Sequence, residues 1–155
     1  MASLNNINSQ LERSPVGMGI RKIAEIVNIS DFTDGEGTSG HVDLDQKIPA
    51  GAFVIGSKVN VTEAFTGDTA AKLEIGISTD PDAFADGIDV FTTGVKGEGN
   101  YEQAQQYRAD ETTVRLTVTG NSDFTDIAAG RLRVDIYYLS TEVELSNDYI
   151  DRYDV

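Results

Sequence analysis

At 155 residues the chain has the length of one domain, enough to bury roughly two-thirds of the surface its unfolded form exposes. It contains no cysteine and no tryptophan, which excludes disulfide staples, thiolate metal sites and a cysteine nucleophile and leaves packing and backbone ladders to hold the fold. Twelve basic against 26 acidic residues give a net charge of −14; this repels phosphate backbones and anionic headgroups over about 8 Å at physiological salt, so direct binding to nucleic acid or membrane is not expected.

Met1 to Val16 is polar, with no basic stretch leading into an apolar one, so no secretory signal is expected. No apolar run approaches the ~20 residues of a membrane span, and synthesis in the cytoplasm is expected. Residues 1–19 read as an extended arm, because Leu4, Ile7 and Leu11 are too sparse among asparagine and serine to form a core face. A first strand is expected from Ile20 to Ile29. Its apolar residues Ile20, Ile23, Ile26, Val27 and Ile29 mix periods of two and 3.6, which leaves a short helix across Arg21 to Val27 as the alternative. Asp31 to Gly40, rich in glycine and acid, reads as a loop, and His41 to Gln46 as a short strand through Val42 and Leu44.

Pro49, Ala50 and Gly51 form a turn, since proline fixes φ and glycine permits positive φ. Ala52 to Phe65 is the longest expected strand, with Gly56 as a bulge or bend. Thr66 to Thr69 turns the chain, and Lys72 to Ser78, with Leu73, Ile75 and Ile77 on one face, is expected to return as its hairpin partner. Asp80 to Gly87 reads as a turn cluster, Ile88 to Thr92 as a short strand and Gly94 to Gly99 as a second glycine loop. Tyr101 to Arg108 is ambiguous between helix and strand. Val114, Leu116 and Val118 mark one further buried face, and Leu132, Val134, Ile136 and Tyr138 another, separated by a loop from Gly120 to Asp126. The segment from Ser140 to Val155 is acidic, with intermittent Val143, Leu145, Tyr149, Ile150 and Tyr153, and reads as a last strand or a docked tail.

The expected fold is therefore all-β: an antiparallel β-sandwich or jelly roll of about seven to eight strands, with a closed eight-stranded barrel as the alternative. The expected organisation is an extended N-terminal arm over 1–19, a β-sandwich over 20–139, and an acidic tail or last strand over 140–155.

Candidate chemistry is thin. Asp80, Asp82, Asp86 and Asp89 cluster around a proline and a glycine and could offer oxygen ligands to Ca²⁺, but the spacing fails the EF-hand pattern and turn chemistry explains the aspartates. His41 is the single histidine, and Ser39 two residues before it forms no nucleophile elbow. With so many acids some pair of carboxylates at glycosidase spacing is inevitable, yet none stands out in an apolar setting. The loops Gly35 to Gly40 and Gly94 to Gly99 lack the Lys-Ser/Thr that closes a phosphate cradle. No catalytic residue, metal or cofactor is expected, and the chain is expected not to be an enzyme. Arg13, Arg21 and Lys22 make the N-terminal segment the least acidic part, which with Leu4, Ile7 and Leu11 suits an arm that meets a partner surface.

The run from Lys47 to Gly67, KIPAGAFVIGSKVNVTEAFTG, followed by LEIGISTDPDAF from Leu73 to Phe84, resembles a segment of small structural proteins of tailed bacteriophages, in particular head decoration (cement) proteins. The likeness covers about the middle third of the chain. It implies a β-sandwich or jelly-roll body, often trimeric and without enzymatic activity, made in the host cytoplasm and placed in the virion, where the major capsid protein or another virion protein is the partner. The alternative is a tail-associated or free carbohydrate-binding β-sandwich.

Overall fold

The computed structural model describes residues 19–98 and 107–140. These form ten antiparallel strands: β1 (Gly19–Asn28), β2 (Thr33–Asp34), β3 (Ser39–Ile48), β4 (Ala52–Thr66), β5 (Ala71–Ile77), β6 (Asp80–Asp89), β7 (Gly94–Glu98), β8 (Tyr107–Arg108), β9 (Thr112–Gly120) and β10 (Ala129–Ser140). Two single 3-10 turns, Ile29–Asp31 and Phe124–Asp126, interrupt them. There is no helix among the described residues long and apolar enough to cross a membrane.

The strands build two five-stranded sheets. Sheet A runs β1-β10-β4-β7, with β8 also paired to β4, and sheet B runs β2-β3-β9-β5-β6. With the two-residue strands β2 and β8 set aside, each step along the chain crosses to the opposite sheet except the β5–β6 hairpin, which is the winding of a jelly roll. The expected all-β sandwich is found, as two open sheets rather than a closed barrel. It has more strands than the seven or eight read from the sequence because β2 and β8 are too short to carry an alternation.

Period-two patterning explains the core. Leu132, Val134 and Ile136 of β10 stand opposite Val61, Val59 and Ser57 of β4, and Leu73 and Ile75 of β5 opposite Val118 and Leu116 of β9. These apolar side chains are all buried between the sheets; burying one such side chain contributes roughly 1.5–3 kcal/mol. One end of the sandwich is closed by aromatics: Phe32 meets Phe65 edge-on at 6.5 Å between centroids and Phe124 at 6.3 Å. At Gly130, whose φ is +151°, a side chain would run into the Phe65 ring, so glycine is required where β10 enters this cluster.

Several local expectations are corrected. The β4–β5 hairpin does not form: β5 lies in sheet B between β9 and β6, and the Thr66–Thr69 turn carries the chain across the sandwich. Gly67 takes φ +101° there beneath the backbone of Asp126, and Thr66 accepts a 2.8 Å hydrogen bond from Ala128 N–H. Alternation reports which face of a strand is buried, not which neighbour it pairs with. Asp80 to Gly87 is strand β6 instead of a turn cluster, with Ala83, Phe84 and Ala85 fully buried. It tolerates Pro81 because β6 is an edge strand and Pro81 lies between Asp80 and Ala85, where the β5–β6 register slips and pairs it with no residue. The expected Ile88–Thr92 strand survives only as the end of β6. Gly94 to Glu98 is likewise an edge strand, β7, and not a loop.

Within Asp31–Gly40, β2 and the start of β3 pair around a tip where Glu36 and Gly37 have positive φ. The first strand is β1 and not a helix. Beside Gly56, Ile55 is the extra residue where the β4–β10 register slips. The arm over 1–18, the stretch 99–106 and the tail over 141–155 lie outside the described residues, and so do Leu4, Ile7, Leu11 and Arg13.

Candidate functional site

The two outer faces of the sandwich differ in kind. Every large hydrophobic residue exposed among the described residues belongs to sheet A: Ile20 and Ile26 on β1, Phe53 and Ile55 on β4, Val95 on β7 and Tyr107 on β8. Register turns them into a surface. Ile20 stands opposite Leu139, Leu139 opposite Phe53, and Phe53 opposite Tyr107, so one row across four strands is apolar throughout. Ile20 is 71% exposed, and the Phe53 and Tyr107 rings lie 5.1 Å apart. The next row places Lys22 beside Tyr137 and Tyr137 beside Gly56. Two rows further, Ile26, Arg133, Asn60 and Val95 face out together.

Between the apolar row and the row of Ile26, Arg133, Asn60 and Val95 sits Asp135, on the outward side of β10 and yet only 3% exposed at its side chain. Arg133 covers it at 2.9 Å, Lys58 at 3.3 Å and Lys22 at 3.9 Å, each cation just under half exposed. Burial pushes the Asp135 carboxyl up, but the hydrogen bonds from Arg133 and Lys58 outweigh it and hold the group below the usual carboxylate range. The bond to Asp135, and then one to Tyr137, raises the Lys58 ammonium. With Arg131, which stands opposite Glu63, the outward set of this face among the described residues is four cations (Lys22, Lys58, Arg131, Arg133) against two carboxylates (Asp135, Glu63), on a chain of net charge −14. Sheet A thus presents an apolar and locally cationic surface.

Sheet B presents acid. Glu74 on β5 is pushed above the usual range by burial first and then by Asp86 and Asp82. Asp80 is raised by its hydrogen bond with Asp82. Asp43 is paired with Arg115 through contacts of 2.7 and 2.9 Å, which hold its carboxyl low.

Of the residues singled out from the sequence, Arg21 and Lys22 belong to β1 and not to the arm, and Lys22 joins the Asp135 cluster while Arg21 stands opposite Tyr138. The four aspartates of the Ca²⁺ reading all stand on β6, where Asp80 meets Asp82. Asp80, Asp82 and Asp86 are spread along β6, and Asp89 accepts from Thr92, Phe91 N–H and Lys96. Among the described residues no group of three His, Asp or Glu side chains is placed to hold a metal. Ser39, His41 and Asp43 fall two apart along β3, where successive same-face side chains are about 6.6 Å apart. Asp43 is committed to Arg115 by two hydrogen bonds.

An open cleft of about 610 Å³ lies beside the apolar row, lined among others by Tyr107, Arg108, Asp110, Glu111 and Arg115. The sequence reading missed Phe53, Ile55, Val95, Tyr107 and Asp135. The available signal was apolar residues in both phases of β1 and of Ala52 to Ile55, a pattern that a strand with one wet face does not need.

The chain matches no protein-family model and no curated protein. Among solved structures, a chain of the cyanophage Pam1 capsid asymmetric unit superposes with a TM-score of 0.57 at 17% identity, over 80% of this chain and 86% of that one. A chain of the acidic stable capsid structure of Helicobacter pylori bacteriophage KHP30 has a TM-score of 0.49 at 10% identity, over 80% of this chain and 95% of that one. The Pam1 likeness is one of fold.

Proposed function

We propose that this chain is a non-enzymatic virion structural protein, a capsid decoration (cement) protein that binds the outer shell as a homotrimer and stabilises it. The observation that carries this reading is the outer face of sheet A, where the exposed hydrophobics and a cationic cluster gather on one side of an otherwise acidic molecule. Contiguous apolar surface rimmed by charge is what a protein keeps for another protein. The fold shared with the Pam1 capsid chain and the sequence resemblance to head decoration proteins support the same setting. Three copies meet through these sheet faces, and the arm carrying Leu4, Ile7, Leu11 and Arg13 lies against the major capsid protein. Joining three weak arm contacts in one particle yields avidity without any single strong contact. The protein is made in the host cytoplasm and ends in the virion.

Light scattering and co-sedimentation test this together. The expected results are a particle of three times the 16.7 kDa chain mass and saturable binding to expanded, undecorated shells. A monomer at micromolar concentration that leaves such shells bare overturns the reading.

A tail-associated or free carbohydrate-binding module is the second reading, favoured by the cleft beside Tyr107. Glycan-array binding that is lost in Tyr107→Ala would establish it, since an aromatic face is what stacks on a sugar ring.

A further inference from the structure

Resting on the proposal that copies of this chain associate, we infer that the outer face of sheet A is completed by the acidic segment 141–155 of a neighbouring copy.

Ser140, the last residue of β10, pairs with Gly19 and Ala52 immediately beside the apolar row of Ile20, Leu139, Phe53 and Tyr107. Both undescribed terminal segments therefore attach at this end of sheet A, and their chemistry separates them. Residues 1–18 contain one acid, Glu12, and one base, Arg13. Residues 141–155 contain Glu142, Glu144, Asp148, Asp151 and Asp154 against Arg152, interleaved with Val143, Leu145, Tyr149, Ile150 and Tyr153. A face of cations beside an apolar row calls for a segment of acids between apolar residues, and of the two terminal segments the C-terminal one has that composition.

Direction selects the copy. β10 is an inner strand of sheet A, so its continuation runs off the end of the sheet, and covering its own face would require a reversal directly after Ser140. Thr141 to Leu145 holds no glycine, proline, asparagine or aspartate, and the first turn-forming cluster is Ser146, Asn147 and Asp148. A run of five residues without a turn former would span up to about 17 Å if extended, which favours leaving the end of the sheet over folding straight back onto its own face. A neighbouring sheet A then receives it. Repeated from copy to copy, such a head-to-tail exchange closes into a ring where the rotation between copies is one third of a turn, which would give the proposed trimer a physical basis.

The chain has no cysteine or tryptophan to complicate labelling, and Phe53 projects outward from β4. A photoreactive benzoyl-phenylalanine in place of Phe53 should, on illumination of the purified protein, give a covalent product at a multiple of the chain mass with adducts on residues 141–155. Adducts on the same copy's tail in a monomer-sized band, adducts elsewhere on a second copy, or no product at all would each overturn the inference. Combining Glu142→Lys, Glu144→Lys and Asp148→Lys should weaken self-association about tenfold or more; unchanged association overturns the inference. Shell binding is read separately. A protein that cross-links through its tail but ignores shells sinks the virion reading alone, and one that binds shells while Phe53 links to other sequence sinks this inference alone.

Discussion

Replacing Asp135 with asparagine probes the organisation of the sheet A face at its electrostatic centre. The carboxylate is 3% exposed, with Arg133 at 2.9 Å as its shortest contact, and hydrogen bonds to charged groups contribute about 1.5–3 kcal/mol. Because Arg133, Lys58 and Lys22 are each nearly half exposed, water screens them and they regain hydration when the acid is neutralised, which places the cost toward the lower end. Asparagine keeps the shape but leaves three cations facing one another. We expect Asp135→Asn to destabilise the folded chain by about 2 kcal/mol at pH 7, which for a domain of this size lowers Tm by about 4–8 °C.

The pH dependence has a definite sign. The folded carboxyl lies below its usual range, so its contribution is fully present above the unfolded value of about 3.9 and is lost as pH falls through the folded value. Thermal melts of the two proteins should therefore differ by a constant amount from pH 8 to about 5 and converge at lower pH. A Tm difference under about 1 °C at pH 7, or one that persists unchanged at pH 2.5, would refute the reasoning.

Removing charge from Glu74 should act the opposite way. Its folded carboxyl is raised by burial, Asp86 and Asp82, so Glu74→Gln should raise Tm at neutral pH, with the gain fading as pH falls through the raised folded value and gone below about 4.3, where both states are protonated. Phe65→Ala, in the fully buried aromatic end of the core, should cost about 3–5 kcal/mol in chemical denaturation. Gly130→Ala should destabilise as well, because the added methyl meets the Phe65 ring at a backbone angle of +151°. The paired change Phe53→Ser and Val95→Ser, on the exposed face, should leave stability within about 1 kcal/mol yet reduce shell binding in co-sedimentation at least about tenfold, through lost avidity.

Particular strands show why the architecture was legible and the face was not. In β9 and β10 the buried set Val114, Leu116, Val118, Leu132, Val134, Ile136 and Tyr138 is regular enough to read directly. β6 escaped because its outward positions are aspartates in a segment that also holds proline and glycine, the same residues that make turns. Only its edge position, a property of the whole sandwich, reconciles that composition with a strand. Pairing was illegible for a similar reason: the Thr66–Thr69 turn serves a hairpin and a crossing between sheets equally well.

The mixed spacing of β1, ambiguous between strand and helix, has a structural origin. Ile23 and Val27 face the core while Ile20 and Ile26 face outward, so the strand is apolar on both sides. Asp135 could not be singled out because its burial comes from cations on β1, β4 and β10 that only the register brings together. The same register assembles Ile20, Leu139, Phe53 and Tyr107 into a row from four separate stretches of sequence.

Cryo-electron microscopy of the particle that carries this chain tests the central claim most directly. The account predicts jelly-roll bodies in threes outside the shell, with Phe53, Val95 and the Asp135 cluster covered by protein from a neighbouring copy. Bodies standing singly with sheet A facing solvent, or located away from the shell, would contradict it.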